Sequence, residues 1–163
     1  MKLHIENLNI TFSNQHQPAG LIAALSIVGA EKSANQVDAP AIGEKWPGTE
    51  AIYSGVSLSI TDDSLVHLIL WPDDKNKGMN YDKAVEFAEA VNPDMNSHIP
   101  TRHQSITLFE RLQDKFSNNY YHWTLTKTKS GDAAFVQVFT SGSQINTLLS
   151  AECRVRAVSE IPL

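Results

Sequence analysis

Apolar and polar residues follow strand-like and helix-like spacing along most of the chain. Alternation over Leu3–Phe12, with a break in register at Asn7, predicts one strand with a bulge. Apolar positions at helical spacing over Pro18–Ala34 predict a helix that either packs on the fold or assembles subunits. Asn35–Gly48 contains two prolines and two glycines, so we expect a linker, with Trp46 anchoring its end on a core.

The segment that follows predicts a hairpin and then a helix. Ser54–Ile60 alternates Val, Leu and Ile against serines, and Leu65–Trp71 alternates as well. The polar turn Thr61–Asp63 between them is typical of an antiparallel hairpin. Asn80 can cap a helix over Tyr81–Val91, which carries one apolar stripe.

A second helix and a further group of strands are predicted from Thr101 onward. Thr101 and Gln104 have the spacing of a capping box. The predicted buried face of this helix comprises Ile106, Leu108, Phe109, Leu112 and Phe116. Strands are expected around Tyr121–Leu125, around Phe135–Phe139 and over Cys153–Val158. Helices between two groups of strands indicate an α+β fold with an antiparallel sheet.

Seven segments of the chain also follow a recognisable order. They are Ile42–Gly48 with Tyr53–Val56, His67–Leu70, Met79–Ala84, Ile99–Gln104, Tyr121–Trp123, Phe139–Gln144 and Arg154–Val158. In this order they resemble the Lcl C-terminal-like domain family of phage and bacterial proteins. The chain departs from the family pattern at Tyr81, where Trp is usual, and at Gln104, where Glu is usual. The family's Tyr-Trp-Ser-Ser aligns with either His122–Leu125 or Tyr121–Thr124 and matches neither in full.

This resemblance implies a C-type-lectin-like domain over residues 41–163, preceded by a strand-and-helix appendage over residues 1–40. It implies a phage or prophage binding module without enzymatic activity, which recognises a protein or surface target through its late strands and loops. The candidate contact residues are His122, Thr124, Lys127, Lys129, Gln137, Ser143, Gln144 and Asn146. A structural role is expected for Trp46, Thr101, Arg102, Trp123, Arg154 and Arg156. The alternative is an intracellular phage effector that inhibits a host defence protein by covering its surface.

Charge and cysteine content narrow the classes of function. The formal charge of −5 over 163 residues disfavours general nucleic-acid binding, which relies on basic residues. The single cysteine, Cys153, allows neither an internal disulfide nor a four-thiolate zinc site, and it disfavours the cysteine chemistry of the formylglycine-generating relatives of this fold. The chain shows no signal peptide and no apolar run long enough for a membrane span, so we expect host cytoplasm or a virion.

Motifs for catalysis or metal binding are not found in the sequence. It has no H-E-x-x-H pair, no G-x-S-x-G elbow and no phosphate loop, so we expect neither an enzyme nor a cofactor. Calcium at Asn92–Asp94 and zinc between His98 and His103 are the weaker alternatives. Alternation within the aromatic run Tyr120–Trp123 predicts that two side chains pack in the core and two face outward as a binding patch.

Overall fold

The computed structural model describes the backbone of residues 2–5 and 8–11, and residues 38–72, 77–116 and 120–163 in full. The chain divides into two compact units, residues 1–37 and residues 38–163. The predicted helix over Pro18–Ala34 lies outside the described residues. No helix among the described residues is long and apolar enough to cross a membrane.

In the first unit, strands β1 (Lys2–Ile5) and β2 (Leu8–Thr11) pair antiparallel. Their register places Ile5 opposite Leu8. The prediction of one bulged strand over Leu3–Phe12 is therefore wrong. The break in alternation at Asn7 falls between two separate strands, because a change of direction interrupts the period-two pattern just as a bulge does.

The second unit begins its first sheet with the predicted hairpin. Strands β3 (Ile52–Leu58) and β4 (Leu65–Leu70) pair antiparallel, which confirms that prediction, and the last strand, β8 (Val158–Pro162), pairs antiparallel with β4. The strand predicted over Cys153–Val158 is misplaced along the chain. Residues 153–157 instead form single bridges and hydrogen bonds to several elements, so they join the sheets rather than continue one ladder.

The second sheet comprises β5 (Tyr121–Lys127), β6 (Ala133–Val138) and β7 (Gln144–Leu148), in that order and antiparallel. Strand β7 is not among the strands that the sequence predicted. Its alternation is weak because its two large apolar residues, Ile145 and Leu148, fall on opposite faces of the strand, and both are exposed.

Both predicted helices of this unit are confirmed with their caps. Helix α1 (Tyr81–Val91) begins after Asn80, whose side chain accepts from the Lys83 amide at 3.1 Å. Helix α2 (Arg102–Leu112) begins after Thr101 with a complete capping box. The predicted buried face of α2 is right at Leu108 and Leu112 but wrong at Ile106, which is 40% exposed.

The two helices contribute to cores on opposite faces of the first sheet. Ile69 of β4 packs in one core with Tyr81 of α1, whereas the flanking Leu68 and Leu70 pack in the other core with Leu108 of α2. Successive strand residues point to opposite faces, so each helix covers a different face. The described part of the second unit is therefore a mixed α+β fold of two antiparallel sheets and two helices.

The predicted anchor Trp46 is confirmed, since its side chain is 5% exposed and lies in the α1-side core. The chain before it is more ordered than a linker. The Gly43 amide donates to the Tyr53 carbonyl at 2.9 Å, and the Tyr53 amide donates to the Glu44 carbonyl at 2.8 Å. The described part of Asn35–Gly48 therefore extends the edge of β3, because the extended backbone of that strand offers unpaired hydrogen-bonding groups there.

Strand β3 turns its serines inward and part of its apolar residues outward. Ser54 and Ser57 are buried, whereas Val56 and Ile60 are each 43% exposed. The cause is the close approach of α2, whose Thr107 hydroxyl lies 3.1 Å from the Ser57 hydroxyl. A small side chain that can form a hydrogen bond fits this gap between helix and strand, whereas a valine would fill it without a partner for the threonine.

Candidate binding surface

Three of the predicted contact residues are buried, so their assignment to a binding surface is wrong. His122 is 2% exposed, and Thr124 and Gln137 are fully buried. All three project from the face of the second sheet that α2 and the chain after it cover. The His122 ring packs edge-on against Phe116 and Phe139, with ring centroids 5.4 and 5.1 Å away. A strand position chosen for its polarity can therefore still face a core.

The other five predicted residues do not form one cluster. Lys127 and Lys129 are exposed at the turn between β5 and β6, whereas Ser143 lies at the opposite end of the sheet. Strand β6 separates the two turns by about 17 Å at the usual rise per residue. Asn146 is exposed on β7, and Gln144 is half-buried.

Arg102 and Gln144 form a bidentate contact between α2 and β7. The Arg102 Nε donates to Gln144 Oε1 at 2.8 Å, and Gln144 Nε2 donates to the Arg102 carbonyl at 2.9 Å. The Arg102 guanidinium also stacks 3.9 Å from the centroid of the Phe135 ring. Gln144 is therefore tied to the framework, which leaves little of its side chain for a partner.

The exposed part of the late strands carries aromatic and aliphatic side chains. Tyr121 lies opposite Val138, and Ile145 is the diagonal neighbour of Val138 on the same face. Tyr121 is 50% exposed and Ile145 is 44% exposed. Beside them, the Arg154 guanidinium stacks 3.5 Å from the centroid of the Tyr120 ring. We call Tyr120, Tyr121, Val138, Ile145 and Arg154 the late-strand patch.

The aromatic run Tyr120–Trp123 has the predicted two exposed and two buried side chains, but the predicted alternation is wrong. Tyr120 and Tyr121 are exposed, whereas His122 and Trp123 are buried. The buried pair is adjacent in sequence because both faces of this sheet are covered at that point. The Trp123 indole donates to the Met79 carbonyl at 2.8 Å, which satisfies its only polar atom.

A second exposed apolar surface lies on the first sheet, and sequence reasoning missed it. The register places Val56, His67 and Ile161 in one row across the sheet, with Leu58 and Leu65 in the next row on the same face. Val56 is 43% exposed and Leu65 is 58% exposed. We call Val56, Leu58, Leu65, His67, Ile161 and Leu163 the first-sheet patch. The apolar residues of Ser54–Ile60 were the available signal, but period-two alternation does not say which face is covered.

Glu160 lies at a polar junction between the sheet and α2. Its carboxylate accepts from the Ile60 amide and the Ser59 hydroxyl, each at 2.8 Å, and from Gln104 Nε2 at 2.6 Å. His98 Nε2 lies 3.5 Å away, and burial lowers the pKa of His98 despite the opposing effect of Glu160. His98 is therefore mostly neutral at pH 7, and its contact with Glu160 is not an ion pair there.

An open depression of about 490 Å³ adjoins this junction. Its lining residues are Ser59, Thr61, Asp62, Ser64, Leu65, Val66, Glu160, Pro162 and Leu163. The carboxylate of Glu160 already accepts from three donors, so it is better suited to hold β8, α2 and the hairpin together than to accept a proton from a substrate.

His122 and Cys153 are buried titratable groups that are held in their neutral forms. Burial, followed by the nearby charge of Arg156, lowers the pKa of His122 to about 4. Neither nitrogen of the His122 ring forms a hydrogen bond with another described residue at normal geometry. Burial raises the pKa of the Cys153 thiol to about 11, so the thiolate that nucleophilic chemistry requires is scarce at neutral pH.

The part of the chain that the structure describes contains no group of three or more His, Cys, Asp or Glu side chains that could hold a metal ion. The Asn92 side chain, part of the weaker calcium alternative, accepts from the Met95 amide at 3.2 Å. Arg156 is 5% exposed and donates to the carbonyls of Lys115 and Trp71 at 2.7 and 2.9 Å. These contacts fit the structural role expected for this arginine.

Fold and surface together define an α+β protein of two antiparallel sheets and two helices, with aromatic and aliphatic side chains exposed on its sheets. Comparison of the sequence with protein-family models and with curated proteins finds no match. The resemblance to the Lcl C-terminal-like family stays a prediction.

Proposed function

We propose that residues 38–163 form a non-enzymatic binding module of C-type-lectin-like architecture that recognises a protein partner through the late-strand patch. The architectural part is supported by the order of elements, in which a hairpin precedes two helices and three further strands follow. It is also supported by β8, which returns to pair with β4 beside the opening hairpin. The resemblance described above supports a phage or prophage origin.

The observation that carries the proposed surface is the exposure of two adjacent tyrosines beside a stacked arginine. Tyrosine and arginine are enriched among the residues that dominate binding energy at protein interfaces. Tyr120 and Tyr121 are each about half exposed, and Val138 and Ile145 add apolar area next to them. A tyrosine ring loses few rotatable bonds on binding, so its burial by a partner has a low entropic cost.

The non-enzymatic part of the proposal is supported by the state of the reactive groups. The Cys153 thiol is buried and protonated, and His122 is enclosed between α2 and the second sheet. The Glu160 carboxylate is engaged by three donors. Each of these groups lacks the accessible, activated form that nucleophilic or acid–base catalysis uses.

Partner capture by variants of the full chain tests this proposal. In the double variant Tyr121→Ala and Ile145→Ser, we expect the affinity for a captured partner to fall about tenfold or more, since truncation of one interface tyrosine commonly costs over 1.4 kcal/mol. The melting temperature should change little, because both side chains are already half exposed.

The matched control is the double variant Val56→Ser and Leu65→Ser, which removes similarly exposed apolar side chains from the first-sheet patch. It should retain the partner that wild-type chain captures. Capture that survives in the late-strand variant and disappears in the control would contradict the proposal and move the contact surface to the first sheet. The captured protein itself, from a virion or from host cytoplasm, distinguishes a virion component from an intracellular effector.

A further inference from the structure

Strand β7 is the outer strand of the second sheet, and no described strand pairs with its outer edge. The unpaired backbone groups of an edge strand can accept another extended chain. Proteins commonly prevent this with charged residues, proline, a bulge or a covering segment. The sequence of β7, Gln-Ile-Asn-Thr-Leu, contains neither a charged residue nor a proline, and its register with β6 is continuous.

The other outer strands of these sheets each have such protection. Strand β3 has a bulge after Tyr53, and its edge there is covered by the segment that includes Gly43. Strand β8 contains Glu160 and Pro162. Strand β5 is bridged by Arg154, whose amide donates to the Tyr121 carbonyl at 2.9 Å. Among the outer strands of the two sheets within residues 38–163, β7 is therefore the one that lacks these devices.

The register shows which backbone groups of β7 face outward. The Ser143 carbonyl accepts from β6 at 2.9 Å, and the Leu149 amide donates to the residue before β6 at 3.3 Å. Bonded and non-bonded pairs alternate along an antiparallel ladder, so the backbone groups of Gln144, Asn146 and Leu148 point away from β6. The Leu148 carbonyl already accepts from the Ala151 amide at 2.9 Å, so another antiparallel strand would meet the donors and acceptors of Gln144 and Asn146 and the donor of Leu148.

We propose that two copies of this chain pair through β7 in an antiparallel arrangement centred on Asn146. In that register Asn146 faces its counterpart, and the two residues exchange both backbone hydrogen bonds. Gln144 lies opposite Leu148 of the second copy, whose amide donates to the Gln144 carbonyl. A register centred on Ile145 would instead place Gln144 opposite Asn146 of the second copy, and Leu148 would lie beyond the end of the other β7, so less apolar surface would be covered.

The side chains of β7 favour a second copy of this chain as the partner that pairs with the edge of β7. Because β7 carries no charge, two copies can approach without like charges in opposition. The Asn146 amides would lie directly opposite each other, where each can donate to the other. Ile145 would lie opposite Thr147 of the second copy, and Leu148, which is 61% exposed, would lose contact with water. A two-fold contact of this kind closes on itself as a dimer.

The experiment introduces charge at the centre of the two-fold contact in the full chain. Asn146→Lys or Asn146→Asp alone places two like charges in direct opposition, so each should raise the dimer dissociation constant about tenfold or more. An equimolar mixture of the two variants places opposite charges there and should form mixed dimers. Sedimentation equilibrium over a wide concentration range measures both effects, with Ala90→Lys on the exposed face of α1 as the charge-matched control.

Three results would overturn the proposal. They are a wild-type chain that stays monomeric at high concentration, dimers that persist in both Asn146 variants, and a mixture of variants that stays monomeric. Circular dichroism of each variant confirms that exposed Asn146 can be replaced without loss of fold. Because Ile145 belongs to both the late-strand patch and β7, the single variant Tyr121→Ala, which lies outside β7, separates the two proposals: it should weaken partner capture and leave self-association unchanged.

Discussion

His122 is a single residue whose environment makes a measurable prediction about pH. It lies between Phe116 and Phe139, and burial is the main reason that its pKa falls from 6.5 to about 4. In the unfolded chain the same side chain takes up a proton near its ordinary pKa. Between these two values the unfolded state binds more protons than the folded state, so acidification favours unfolding.

We therefore expect the free energy of unfolding to fall as the pH drops from about 6.5 to about 4, by about 3 kcal/mol from this residue alone. His122→Phe removes the titrating group and should flatten this dependence in urea unfolding measured at several pH values. Burial also lowers the pKa of His98, which leaves a smaller residual slope in the variant.

Thr124→Ala is the control for this prediction, since Thr124 is fully buried in the same strand and does not titrate in this range. It should lower stability by a similar amount at every pH. An unchanged pH dependence in His122→Phe would contradict the assignment of a neutral, buried histidine at this position.

At the scale of elements, the turn between β6 and β7 depends on a glycine for two separate reasons. Gly142 has φ = +75°, and its amide donates to the Val138 carbonyl at 2.8 Å. A Cβ at this position would lie 2.6 Å from the Phe109 ring of α2. The turn is therefore packed directly under the helix, and both backbone conformation and space restrict the residue to glycine.

Gly131, in the turn between β5 and β6, separates the effect of backbone conformation from the effect of limited space. Its φ is +79°, but a Cβ there would meet nothing within 4 Å. We expect Gly131→Ala to lower stability by about 1 kcal/mol through backbone strain alone. Gly142→Ala should cost about 1–3 kcal/mol more, because the Phe109 ring must move out of its packing position. Equal losses of unfolding free energy in urea would contradict the close contact between this turn and α2.

At the scale of the whole molecule, the core residues that the structure describes all lie within the unit of residues 38–163. We expect a fragment of residues 38–163 to fold alone and to unfold in one cooperative transition, as single domains of this size usually do. Near-UV circular dichroism tests whether the fragment has fixed tertiary packing, and urea unfolding tests whether it unfolds in one transition.

A shorter fragment, residues 49–163, tests whether the folded unit begins near residue 38 or only at β3. It lacks Trp46 and the segment that pairs with the edge of β3. Removal of a buried tryptophan commonly costs about 3–5 kcal/mol, so this fragment should be far less stable than residues 38–163. Similar stability of the two fragments would show that the segment before β3 is not part of the folded unit.

Local signals along the chain were sufficient to predict both helices and the hairpin of the second unit. Asn80 and Thr101 accept hydrogen bonds from amides three residues later, and this interaction depends on the neighbouring sequence alone. The hairpin of β3 and β4 is also local, because a short polar turn joins its two alternating strands. Trp46 was predictable as an anchor because large aromatic residues are seldom left exposed.

The orientation of side chains was not predictable in the same way. His122, Thr124 and Gln137 are polar but buried, whereas Val56 and Leu65 are apolar but exposed. Strand alternation separates two faces, but it does not identify the face that a distant helix will cover. Pairing of β8 with β4 joins residues far apart in sequence, and no local pattern encodes such a contact.

By itself, the sequence determined the helices with their caps, the first hairpin and the α+β class, because these depend on interactions between near neighbours. Only the tertiary structure decided which strand faces are buried, that β7 forms an outer edge, and that the exposed tyrosines lie beside Arg154. Those features depend on where α1, α2 and β8 pack, and packing is set by long-range burial of apolar surface.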